Sequence, residues 1–161
     1  MSCPTCGLDT SATLPGDVVA ALRSFARRYQ APLTRFLPGE DAEALVTWRP
    51  GADQPSALEL AADVDATLAE VDDEVSRRAG GAPTGAGPEG EGRLAVAERL
   101  SARALALADR FDALEPKAWN AAEGGESVLD LGRRAVHAGH HGLLVVGQAL
   151  RAARQAGAGR A

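Results

Sequence analysis

Six apolar residues between Ala57 and Val75 recur at steps of four, three, four, three and four: Ala57, Ala61, Val64, Leu68, Val71 and Val75. This is the repeat of a helix that buries one face in a seam, the form suited to a helix bundle. Ser56 and Glu59 stand in front of it as an S-x-x-E capping box, which satisfies two of the free amides at a helix start, and the repeat runs to about Arg78.

Three further segments read the same way. Pro15 to Leu37 carries Val18, Val19, Leu22, Phe25, Ala26 and Tyr29 at helical intervals, with Pro32 inside it to kink the helix or end its first segment. Arg93 to Leu114 carries Leu94, Ala97, Leu100, Ala104, Leu107 and Phe111. A last helix follows the cap-like Ser127 and Asp130 and ends near Ala156. Aromatic residues make up only 4% of the chain, and the apolar remainder is mainly Ala, Leu and Val, which favours helices over sheets. No strand signal stands out. The expectation is an all-α domain, a four-helix bundle over residues 15–156, preceded by a short segment at 1–14 and followed by a frayed tail at 157–161. Residues 80–92, with six glycines and two prolines, form a flexible connection long enough to cross the length of the bundle.

A formal charge of −5, with arginines scattered among acidic residues, offers nothing to neutralise a phosphate backbone, so nucleic acid is not an expected partner. No apolar run approaches the roughly 18 residues of a membrane span, and the N-terminus lacks a signal-peptide pattern, so a cytoplasmic protein is expected. In that compartment two cysteines read as thiols or metal ligands rather than a disulfide.

The chemistry-bearing residues lie at the two ends. Cys3-Pro4-Thr5-Cys6-Gly7 has the CPxCG form of half a zinc ribbon, in which the glycine lets backbone amides turn toward the sulfurs. No other cysteine supplies the second half. The pair can serve an independent metal site, a redox couple or nothing at all. All three histidines, His137, His140 and His141, fall within Val136–Leu150. His137 and His141 are four apart, one turn above each other, so two imidazoles can share a metal ion. A helical wheel sets His140 on the line of Leu129, Val136, Leu143 and Leu150, facing the core seam, and the other two on the flank with Leu144 and Gln148. His140 is the candidate to orient a ligand or a substrate by hydrogen bonding.

The H-x-x-H-H cluster on a last apolar helix, the S-A-L-E-x-A-A-x-V start at Ser56–Val64, the CPxCG segment and the Pro116/Trp119 element together resemble the DinB-like superfamily. The likeness is closest to an actinobacterial branch that begins with CPxCG. It implies a metal-binding four-helix bundle related to mycothiol- and bacillithiol-dependent transferases and to the N-terminal domain of mycothiol-dependent maleylpyruvate isomerase. In that superfamily the metal is held by one histidine of the second helix and an H-x-x-x-H pair of the fourth. The pair corresponds to His137 and His141, and the second-helix position corresponds to Asp63, in Ala61-Ala62-Asp63-Val64.

The resemblance therefore implies an open site of His137, His141 and Asp63 for a divalent metal, with zinc foremost and iron, nickel or manganese as alternatives. It further implies a low-molecular-weight thiol activated at that metal for transfer to a small electrophilic metabolite, with His140 or a metal-bound water moving the proton. A plain solvated acidic face with Thr67, Glu70 and Glu74 is the other account of Asp63, and Asp65 and Asp72 are rival carboxylates. Two alternatives to an enzyme stand beside this: a binding or regulatory bundle without the chemistry, and a closed structural Cys2His2 zinc site made by Cys3 and Cys6 with His137 and His141. A homodimer through helix faces is compatible with either.

Overall fold

A computed structural model describes residues 3–85 and 89–160. The chain is all-α apart from one small hairpin. Its helices are α1 (Pro15–Arg28), α2 (Gln30–Thr34), α3 (Ala42–Thr47), α4 (Ala57–Ala79), α5 (Arg93–Asp112) and α6 (Val128–Gln155). A 3-10 turn at Ala118–Asn120 and the antiparallel strands β1 (Ala122–Glu123) and β2 (Glu126–Ser127) lie between α5 and α6. Among the described residues no helix is long and apolar enough to cross a membrane.

The four long helices pack in a ring, α1 on α5, α5 on α4, α4 on α6 and α6 on α1. Residue pairing gives their directions. Arg23 meets Asp109 and Asp112 while Gln30 meets Ser101, so α1 and α5 are antiparallel. Val64 lies against Gly142 and Arg78 bonds Glu126, so α4 and α6 are antiparallel too. Asp65 bonds Arg99 and Arg103, and Asp72 bonds Arg110, so α4 and α5 run the same way. The end of α4 and the start of α5 therefore lie at opposite ends of the bundle, a span that the size of the 80–92 connection suggested.

Asp65 and Asp72, rival metal carboxylates in the sequence, are accounted for by this pairing. Asp72 is fully buried, 2.8 Å from Arg110 Nε, and also accepts from Thr84 N at 2.6 Å. Asp65 lies 3.0 Å from Arg99 Nε and 2.8 Å from Arg103 Nε. They join the parallel helices rather than hold a metal.

Both capping boxes form as expected. Ser56 and Glu59 exchange bonds of 2.9 and 3.2 Å, and Ser127 and Asp130 bonds of 3.0 and 3.1 Å. The expected break before Pro32 forms too, and three other expectations change. The first helix ends at Arg28, because Pro32 has no N–H for the Arg28 carbonyl and its ring would crowd that oxygen; the chain bends at Tyr29 into the short α2. A helix the apolar pattern did not reveal, α3, starts at Asp41, whose side chain accepts from Ala44 N at 3.1 Å, and buries Leu45 and Val46. The hairpin turns on Gly124 and Gly125, both at positive φ (61° and 88°), as a tight two-residue turn requires. The tail expected to fray is tied down through Arg160: Asp41 N donates to Gly159 O at 2.9 Å, Arg154 pairs with Glu40 at 2.8 Å, and Gly159 lies against Leu45.

The face α6 turns to the core is built on glycine. A Cβ on Gly139 would stand 2.3 Å from Phe25, and one on Gly142 would stand 2.3 Å from both Tyr29 Oη and Val64. Tyr29, itself buried, donates to Gly139 O at 2.8 Å. With Leu131, Gly132, Ala135, Val146 and Leu150 these glycines form the buried stripe of the helix.

Candidate metal centre

At 100° per residue, His137 and His141 stand roughly opposite a stripe centred on Gly139 and Val146. They belong to the outward side of α6, yet both are only half exposed. The N-terminal segment accounts for this. Cys3 and Cys6, each half-buried, complete a group with His137 and His141 in which one ligand atom from each residue lies within 4.8 Å of all the others. These four residues can hold a metal ion.

The knuckle that presents the sulfurs is local in origin. Gly7 N donates to Cys3 O at 2.8 Å and Cys3 N to Leu8 O at 3.0 Å, closing a turn that Gly7 completes at φ 70°, a conformation costly for any residue with a Cβ. Leu8 then packs against the edge of the core. Further along, Arg133 donates to Ser11 O at 2.9 Å and to Thr13 O at 3.2 Å, holding the segment along α6.

Within the group, Cys3 Sγ lies 3.8 Å from His141 Nδ1, and the two imidazole rings are 5.5 Å apart and tilted by 30°. Hydrogen bonding to His137, and after it the backbone N–H groups of Cys6 and Thr5, hold the Cys3 thiol far below its ordinary 9.0, at about 5. An anionic sulfur at neutral pH is the form that binds metal. His137 Nε2 is buried with no hydrogen-bond partner among the described residues, an unusual state for an imidazole nitrogen.

The remaining candidates fall outside the group. Asp63 is exposed on α4 and shares with His141 a shallow groove of about 240 Å³, lined also by Thr67 and Val145. His140 is half-buried at the edge of the glycine stripe rather than on its midline. The line of Leu129, Val136, Leu143 and Leu150 does lie in or against the core, but the buried glycines, which carry no weight in an apolar pattern, shift the midline of the stripe away from His140. On the other side of the metal group, a cavity of about 610 Å³ opens between the N-terminal segment and α6, with Cys3 and His137 in its wall. Nothing in the sequence pointed to it, since its two walls lie more than a hundred residues apart.

Comparison with protein-family models, with curated proteins and with solved structures finds no match to this chain.

Proposed function

We propose that the protein is a zinc-holding helical bundle in which Cys3, Cys6, His137 and His141 bind one ion in a closed tetrahedral site. The observation that carries this reading is the mutual approach of the four donor atoms. Zinc bonds of about 2.3 Å to sulfur and 2.0–2.1 Å to nitrogen place tetrahedral ligand atoms about 3.3–3.8 Å apart, and Cys3 Sγ to His141 Nδ1 measures 3.8 Å. Two thiolates balance the charge of a divalent ion, and two neutral imidazoles complete its shell.

The role that follows is structural. An ion shared by Cys3 and His141 cross-links positions 138 residues apart. Closing a loop of that size is worth on the order of 4–5 kcal/mol by the argument used for disulfides, and at about 2–4 °C per kcal/mol for a chain of this length it adds on the order of 10 °C to Tm. Chelation should lower Tm by about that much while leaving helical circular dichroism intact below the transition, because no cysteine belongs to the bundle core.

Metal analysis tests the assignment. Zinc should be present at about one equivalent per chain, be lost in Cys3→Ser/Cys6→Ser and in His137→Ala, and be retained in Asp63→Ala. Retention in the double cysteine variant would refute the closed site.

A second reading keeps the resemblance to the DinB-like superfamily and its metal-dependent thiol transfer. It is favoured by Asp63 sharing a groove with His141. A metal held by His137, His141 and Asp63 would keep open positions and would lower the pKa of a mycothiol-type cofactor for attack on a small electrophile. Under this reading Asp63→Ala abolishes metal binding and the cysteine variant does not.

A further inference from the structure

The four candidate ligands are alike in burial but differ in what they border. Cys3 and His137 line the cavity of about 610 Å³ beside the metal group, and Cys6 and His141 do not. Its volume lies within the usual range for small-molecule pockets. One wall is the N-terminal segment, with Cys3, Pro4, Thr10 and Ser11; the other is the first part of α6 with Glu126 of β2.

Charge in the second wall is unevenly spent. Arg133 is fully engaged, with Asp130 at 3.1 Å and with the backbone oxygens of Ser11 and Thr13. Glu126 shares Arg78 with Glu74: Arg78 donates to the Glu126 carboxylate at 3.4 Å and to its backbone oxygen at 2.6 Å, and to Glu74 at 2.6 Å. Arg134 meets Glu126 only at 3.7 Å and is nearly half exposed. Its guanidinium is the cation in the cavity wall with the most bonding capacity to spare, and a planar fork of this kind suits a carboxylate.

The geometry points to Cys3 as a site of covalent modification by small carboxylate-bearing electrophiles, which enter this cavity, place their anionic end on Arg134 and react at the sulfur. With an α-halo acid the balance is simple. A sulfur lone pair forms the S–C bond, the carbon–halogen bond breaks, and the halide leaves with its electron pair. The anionic thiolate becomes a neutral thioether, a poorer metal ligand, so modification loosens the ion that fastens the N-terminal segment. This inference rests on the Cys2His2 reading above.

The test uses the full-length zinc-loaded protein with iodoacetate and iodoacetamide, which differ in charge and little in size. Modified cysteines are identified by peptide mass spectrometry, and zinc release is followed with a chromogenic chelator. Cys3 should react at least tenfold faster than Cys6, with zinc released in step. The iodoacetate-to-iodoacetamide rate ratio should be several-fold higher at Cys3 than at Cys6. Arg134→Ala should lower that ratio at least threefold and leave the iodoacetamide rate unchanged. Equal reaction of the two cysteines, no reaction at Cys3, or a ratio unmoved by Arg134→Ala would overturn the inference. Metal content measured on the same samples separates the two failures: bound zinc with no preference for Cys3 overturns this inference alone, whereas a protein that takes up no zinc overturns the closed site and this inference together.

Discussion

Substituting Gly139 by alanine tests which way α6 faces, and with it the position of the metal group. The new Cβ would stand 2.3, 2.4 and 2.9 Å from three atoms of the Phe25 ring. Carbon atoms prefer about 3.5–4.0 Å, so the nearest contacts are more than about 1 Å too short. Phe25 is 3% exposed and packs edge-on to Tyr29, whose hydroxyl is bound to the Gly139 carbonyl, so the ring cannot yield without disturbing that bond. Overpacking of this kind costs about 3 kcal/mol, the top of its usual range. Alanine returns up to about 1 kcal/mol through its helix propensity. The net loss is about 2 kcal/mol, or roughly 4–8 °C in Tm.

Gly147 is the matched control. It lies in the same helix, but its Cβ would meet only Arg151 Nη1 at 3.8 Å. Gly147→Ala should therefore stabilise by about 0.5–1 kcal/mol. Urea and thermal unfolding of the two variants give the comparison directly. If Gly139→Ala is no less stable than Gly147→Ala, the glycine stripe does not face Phe25, and the outward placement of His137 and His141 fails with it.

Two further outcomes can be checked in the same assays. Asp72→Ala removes one partner of a buried pair, leaving the Thr84 amide without its acceptor and Arg110 with the Ala82 carbonyl but no counter-charge; a loss of about 3 kcal/mol is expected in urea unfolding, and a loss below about 1 kcal/mol would mean the pair does not hold α4 to α5. Glu74 is held down at about 2 from its ordinary 4.5, by Arg77 first and then Arg78. A depressed carboxylate contributes stability that is fully present above pH 4.5 and is lost as pH falls through about 2, so the urea midpoint should decline across that window and Glu74→Gln should flatten that part of the decline.

The parts of this fold that could be read from sequence are those whose causes are local. The repeat from Ala57 to Val75 and the two capping boxes each act within a turn or two of themselves, and the structure reproduces them closely. The parts that escaped are decided by what lies across the bundle. Asp65 and Asp72 look like any acidic residues on a helix until α5 brings arginines against them. The Gly124-Gly125 turn was the local signal that went unweighed, because the strands it joins are only two residues each. For the metal group, the spacing of His137 and His141 and the CPxCG turn were both visible. Their meeting stood only as one alternative among three, since it depends on the direction in which residues 7–14 leave the knuckle and on Arg133 receiving them.

That meeting separates this centre from metal sites built inside helix bundles, where ligands project inward from several helices and the ion is part of the core. Here the core is filled by the glycine stripe of α6 with Phe25, Tyr29 and Val64 packed into it, leaving no room for ligands on that side. The histidines face outward, and the bundle can keep its packing whether or not an ion is bound. What an ion there would fasten, beside the bonds from Arg133, is the N-terminal segment, of which Leu8 packs against the core. The cavity beside Arg134 has that segment as one of its walls. An ion bound by the four residues would therefore act on the shape of this pocket and not on the packing of the bundle, so a change at one sulfur would alter the pocket while the helices stay in place.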